Sequence, residues 1–238
     1  MNNTTIVYCS SNMEDPKFET RIQENILKYR GDLPIISVTQ KPLDTFGGVV
    51  PENYVNIWVG DDIGVSGFNF FRQVLIGCHA ADTEYIISAE ADTVYPPDYF
   101  TFRPDRKDVC YRNSNLYVMG DHRDYWYKKE EGATHSQVVG REFYIKTLEK
   151  LFEGAPKWSA TEKNFPRERG KGVDVFDKIE YWKTENPVFQ IKTHRSMRYY
   201  TNSDRTPVHT LPFWGDGKKV RNYYLKDVKE VYENITRS

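Results

Sequence analysis

The first forty residues constrain the architecture more than any other part of the chain. Thr4-Thr5-Ile6-Val7-Tyr8-Cys9 is a β-rich run that stops at Ser10-Ser11-Asn12. From Pro16 to Tyr29, the apolar residues Phe18, Ile22, Ile26 and Tyr29 recur at helical spacing, and Gly31 closes the segment. Leu33-Pro34-Ile35-Ile36-Ser37-Val38 is a second β-rich run. Strand, helix, strand in this order is the unit of a parallel sheet.

The pattern continues. Val55 to Gly60 reads as a third strand, followed by a glycine-bearing loop to Gly67. Asn69 to Ala81 reads as a helix, and Tyr85-Ile86-Ile87-Ser88 as a fourth strand. Beyond residue 102 the signal is less regular. Val109 to Val118 alternates as a strand or hairpin, and Arg141 to Phe152 carries a helical apolar face. Glu153 to Gly172 is a long loop, Val173 to Trp182 a short helix, and Val188 to Lys192 a strand with His194 just beyond it. No linker, repeat or low-complexity tract divides the chain. The expected fold is therefore α/β and Rossmann-like, one domain over residues 1–238, with a central, mostly parallel sheet flanked by helices. Neither GxGxxG nor GxxxxGK[ST] occurs, so no dinucleotide fingerprint and no P-loop is indicated.

Composition narrows the function classes. At 238 residues and 39% hydrophobic, the chain can bury a substantial core. Its net charge of −1 gives no overall pull toward nucleic acid. Cys9, Cys78 and Cys110 show no metal or redox spacing, and the apolar contexts of Cys9 and Cys78 predict reduced core residues. The N-terminus lacks a basic, then apolar, leader, and no run approaches the roughly 18 apolar residues of a membrane span. A cytoplasmic location is expected. The 17 tyrosines suit either stacking surfaces or an amphipathic core rim.

The chemistry-bearing feature is Glu90-Ala91-Asp92, directly after the fourth strand and before Pro96-Pro97. In an open α/β sheet, ligands collect outside the carboxyl ends of the strands. Two carboxylates at i and i+2 of an extended backbone point to one side. Such oxygen ligands suit Mg²⁺ or Mn²⁺, and an ion there offsets charge on a departing nucleoside diphosphate. Acidic residues are also common at strand-to-turn junctions without any ligand.

The order of these segments resembles the nucleotide-sugar glycosyltransferases of the GT-A fold. The resemblance rests on Gly67-Phe68-Asn69-Phe70-Phe71-Arg72-Gln73, then Ala80 to Ile87, then Glu90-Ala91-Asp92 and Pro96-Pro97-Asp98-Tyr99-Phe100. It is similar to a bacterial and phage subgroup with a DxD-like Glu-His-Asp triplet followed by Tyr-Pro, with Ala91 standing for the His. It covers residues 4–102, the nucleotide-sugar-binding half, and continues in patches through the acceptor-side half, 103–238.

The resemblance implies the site residues. Glu90 and Asp92 would hold Mn²⁺ or Mg²⁺, with His194 as a third ligand from the segment Lys192 to Thr201. Arg195 and Arg198 would clamp the diphosphate. Cys9, Ser10, Ser11 and Asn12 would border base and ribose, with Gln40, Lys41 and Pro42 near them. Gly67 and Asn69 would flank the diphosphate, and Arg72, beside Gln73, would face the donor.

Gly172 to Asp177 looks like a Glu-Asp helix start that carries the catalytic base. Val173 replaces the Glu, and Asp174 stands at the Asp, where a plain helix N-cap also fits. His135 and Ser136 are acceptor-side candidates. The implied activity is metal-dependent, inverting transfer of a sugar, from a UDP-sugar first of all, to a hydroxyl acceptor. The acceptor would be a glycan or a hydroxymethylated base in phage DNA. A nucleotidyltransferase is the alternative enzyme, although residues 9–18 lack the glycine- and arginine-rich loop that class uses. A non-catalytic nucleotide-sugar-binding domain is the third reading, suggested by Ala91 and Val173.

Overall fold

The structure is a computed structural model that describes residues 3–130, 132–162, 165–166, 174–197 and 203–228. Strand β1 (Thr4–Ser10), helix α1 (Pro16–Tyr29), β2 (Ile35–Thr39), β3 (Tyr54–Trp58), helix α2 (Gly67–Ala80) and β4 (Tyr85–Glu90) follow one another. They form a parallel array in which β1 lies between β2 and β4, with β3 outside β2. β1, β2 and β4 are buried on both sides, and for this reason β1 reads as a nearly unbroken apolar run, whereas the edge strand β3 is partly exposed. Alternate residues serve the two faces. Ile6 and Tyr8 join Phe18, Ile22 and Ile26 of α1, whereas Val7 and Cys9 join Phe71, Val74 and Cys78 of α2.

The chain then adds β5 (Thr93–Val94), β6 (Cys110–Asn113), β7 (Leu116–Gly120), β8 (Tyr127–Lys128), β9 (Gln137–Gly140) and α3 (Arg141–Leu151). After these come β10 (Ile179–Trp182), β11 (Val188–Lys192), β12 (Thr210–Leu211), β13 (Gly215–Asp216) and α4 (Gly217–Tyr224). Strands β9, β6 and β10 extend the main sheet beyond β4, giving the order β10-β6-β9-β4-β1-β2-β3. Only β9 runs against its neighbours. A second sheet, β5-β11-β7-β8, packs Phe189 of β11 into the cluster that α1 covers, and Trp126, just before β8, joins it there. The mixed α/β class and the mostly parallel central sheet are as expected. Strands from both sides of residue 102 share the main sheet and both core clusters.

Local signals explain the element ends. The Asp15 side chain accepts from Lys17 N ahead of Pro16, and Ser66 accepts from Asn69 N to start α2. Gly77 lets α2 settle onto the sheet, since a Cβ there would lie 2.5 Å from Val7 Cγ1.

Two segments depart from expectation. Within Val173 to Trp182, Val173 lies outside the described residues, residues 174–178 form no helix, and Ile179–Trp182 is a strand parallel to β6. The open backbone of β6 offers Ile, Tyr and Trp a ladder that their strand preference takes up. Val109 to Val118 is not a hairpin either. Ser114 and Asn115 carry the chain from β6 in one sheet to β7 in the other. All three cysteines are free and buried. Among the described residues, no helix is long and apolar enough to cross a membrane.

Candidate functional site

The strand order reverses at β1. From there the chain reaches β2 and β3 on one side and β4 on the other, and a crevice opens at the carboxyl ends of β1 and β4. Cys9 stands opposite Glu90 in the β1–β4 register. Cys9, Ser10, Ser11 and Glu14 line the crevice from the first strand, and Gln40 lines it from beyond β2. Val65, Ser66, Phe70 and Gln73 contribute from the start of α2, Glu90 to Asp92 from the end of β4, and Arg195 to Met197 from beyond β11.

Buried amides fix this rim. Gln73 Nε2 donates to Ser10 O at 2.9 Å and to Val38 O at 2.7 Å, tying α2 to the ends of β1 and β2. Asn12, at φ +53°, accepts from Gln40 N and Lys41 N at 3.0 Å each, so the two strand-end loops hold each other. Gln40 Nε2 donates to Gly64 O at 3.0 Å.

The acidic side differs in detail from expectation. Strand β4 runs on to Glu90, and Ala91-Asp92 form a turn before β5. The extended i, i+2 geometry therefore does not apply, and the turn is what brings both residues to the crevice. Asp92 Oδ1 accepts from Gln190 Nε2 at 2.9 Å and Thr93 Oγ1 at 3.2 Å. Its Oδ2 accepts from Gln190 Nε2 at 3.0 Å and Lys192 Nζ at 3.3 Å.

Glu14 is a crevice residue that the sequence reading missed. Its Oε2 accepts from Thr193 Oγ1 at 2.7 Å. Burial and the Asp92 charge push its carboxyl up to about 7, against the pull of Thr193 and Lys192. The available signal was positional, because Glu14 lies in the loop leaving the carboxyl end of β1.

The remaining candidates fall into three groups. Asn69, Arg72 and Gly67 do not line the crevice. Asn69 is fully buried, donates to Ile63 O and Gly64 O, and accepts from Ser159 N. Arg72 stacks 3.8 Å from the Phe152 ring centroid and donates to Pro156 O at 2.7 Å. These residues shape the loops beside the crevice from behind, and Gly67 is the buried first residue of α2.

His194 and Asp174 also lie elsewhere. The His194 backbone N donates to Asp121 Oδ2 at 3.3 Å, and its Nδ1 lies 4.0 Å from the same oxygen. Asp174 is held in a two-armed ion pair by Arg112 of β6, at 2.5 and 2.7 Å. It precedes a strand and not a helix, so it is no N-cap. Arg195 does line the crevice, donating to Met13 O at 3.4 Å, whereas Arg198 lies outside the described residues.

His135 and Ser136 are buried next to β9. Burial holds the His135 imidazole neutral, and its carbonyl accepts from Tyr95 Oη, which itself accepts from Glu90 N at 3.0 Å.

The residues present do not fit a divalent ion. Three donor groups already hold the Asp92 carboxylate: Gln190 Nε2 spans both oxygens, Thr93 Oγ1 donates to Oδ1, and the Lys192 cation sits on Oδ2. His194 faces Asp121 instead. Among the described residues, no group of three His, Cys, Asp or Glu side chains is placed to hold a metal.

No protein-family model and no curated protein matches the sequence. Solved structures with some likeness include the galactosyltransferase LgtC in complex with donor and acceptor sugar analogues. That match has 8% identity, covers 63% of each chain and has a TM-score of 0.43. The bifunctional IspDF from Campylobacter jejuni matches at 11% identity over 78% of this chain and 50% of its own, with a TM-score of 0.40. A glycosyltransferase involved in glycosylation of the major capsid of PBCV-1 matches at 12% identity, over 76% and 81%, with a TM-score of 0.39. The chain spans less than two thirds of the first two structures. At these TM-scores the likenesses establish neither a shared fold nor a shared activity.

Proposed function

We propose that the chain is a glycosyltransferase that binds a nucleotide-sugar donor in the crevice at the β1–β4 switch point and passes the sugar to a hydroxyl acceptor. One observation carries the reading. Of the residues that the GT-A resemblance assigns to the donor and its metal, Cys9, Ser10, Ser11, Gln40, Glu90, Asp92 and Arg195 come from four separate segments and line a single crevice, whereas Gly67, Asn69, Arg72 and His194 do not line it. Ser10, Ser11 and Gln40 border the nucleoside. Arg195 meets the diphosphate with a planar guanidinium suited to phosphate oxygens. A UDP-sugar is the first donor to try, with a glycan or a hydroxymethylated DNA base as acceptor.

Calorimetric titration of UDP-, GDP- and CMP-sugars tests the donor site. One donor should bind, and Arg195→Ala should weaken it by about tenfold or more without lowering the melting temperature. Failure of every donor to bind refutes the reading. Release of free nucleotide on adding candidate acceptors then separates an enzyme from a domain that only binds.

A further inference from the structure

The partners of Asp92 are fixed by backbone and not by chance rotamers. Ile191 N donates to Asp92 O at 2.8 Å, and Gln190 sits opposite Thr93 in the antiparallel β5–β11 pair. That register sets Gln190 and Lys192, which alternate onto one side of β11, against the Asp92 carboxylate. The side chains of Lys192 and Asp92 are only 12% and 13% exposed, so water screens their attraction weakly. A divalent ion approaching Oδ2 would meet both a filled acceptor and the Lys192 charge at 3.3 Å.

We propose that Lys192 is the resident cation of this site. It occupies the place on Asp92 that a divalent ion would need, so that nucleotide binding in the crevice runs without metal. The proposal rests on the donor-site reading above. Lys192 acts through Asp92, which lines the crevice, and is a positioning residue. The cation that meets the nucleotide directly is Arg195.

Two measurements test this. The first follows the electron paramagnetic resonance signal of free Mn²⁺ as protein is added, with no nucleotide present. Wild type and Lys192→Arg should leave the signal unchanged. Lys192→Met takes the cation off Oδ2, leaving only the neutral Gln190 amide on it, and should give saturable Mn²⁺ binding that Lys192→Met/Asp92→Asn loses. Saturable binding by wild type that Asp92→Asn abolishes overturns the proposal, and so does silence in a folded Lys192→Met. The second compares nucleotide titrations of wild type in EDTA and in Mn²⁺, and needs no variant to fold. The dissociation constants should agree within about twofold. A requirement for Mn²⁺ overturns the proposal while leaving the donor site standing. If no nucleotide binds in either buffer, the donor-site reading fails, and the Mn²⁺ signal alone still decides the place of Lys192.

Discussion

Replacing Glu14 by Gln isolates the charge that the crevice controls most strongly. Burial and the neighbouring Asp92 raise the Glu14 carboxyl from 4.5 to about 7. A raised folded-state value means that the native protein keeps a proton the unfolded chain has already released. Stability contributed by this group therefore falls as pH rises from 4.5 to about 7, and levels off once both states are ionised. At about 1.4 kcal/mol per unit, the full cost is on the order of 3 kcal/mol.

Gln keeps the shape of Glu14 and can accept from Thr193, but it has no proton to lose. Glu14→Gln should match wild type near pH ~4.5 and exceed it by a large part of that ~3 kcal/mol near pH ~8. Urea unfolding midpoints at a series of pH values measure the difference. In wild type, nucleotide binding should also weaken as pH rises through about 7, where Glu14 of the folded protein ionises and its charge repels the diphosphate, and the variant should lose this dependence. Parallel stability curves for the two proteins between pH ~5 and ~8 would refute the reasoning.

Asp174→Ala should cost about 3–5 kcal/mol in thermal or urea unfolding, because it strands the guanidinium of Arg112, whose side chain is 5% exposed. If Asp174→Asn instead keeps full stability and abolishes sugar transfer, Asp174 is the base that the resemblance implies. Gly77→Ala drives a methyl group to 2.5 Å from Val7 Cγ1. It should destabilise by about 1–3 kcal/mol through overpacking, less the ~1 kcal/mol that alanine returns to a helix. Arg72→Ala should lower the melting temperature by loosening the segment at Ala155 and Pro156, while leaving nucleotide affinity within about twofold.

The elements most legible in the sequence are those whose burial repeats locally. α1 was read to its observed bounds because Phe18, Ile22 and Ile26 mark one face and Pro16 and Gly31 bracket it. β1 was legible because both its faces are buried. The site was legible only where position along a strand suffices, as for Ser10, Gln40 and Glu90, which end or follow strands that point to one edge. Partners distant in sequence left no local trace. Glu14 meets Thr193 at a separation of 179 residues, and Asp174 meets Arg112 at 62. His194 follows a strand end as expected, yet β7 ends beside β11, and that neighbour supplies Asp121. Periodicity cannot say which of two adjacent strand ends will claim a side chain.

The partners of Asp92 also set a schedule for biosynthesis. Gln190 and Lys192 leave the ribosome 98 and 100 residues after the aspartate they enclose. A nascent or prematurely ended chain that laid down β1 to β4 would carry the acidic turn with an unneutralised carboxylate and without the wall that Arg195 supplies. Until its final quarter is made, such a fragment cannot complete the crevice. Fragment expression is thus a poor route to a minimal binding module, and a shortened product of this chain has no assembled pocket in which to retain nucleotide.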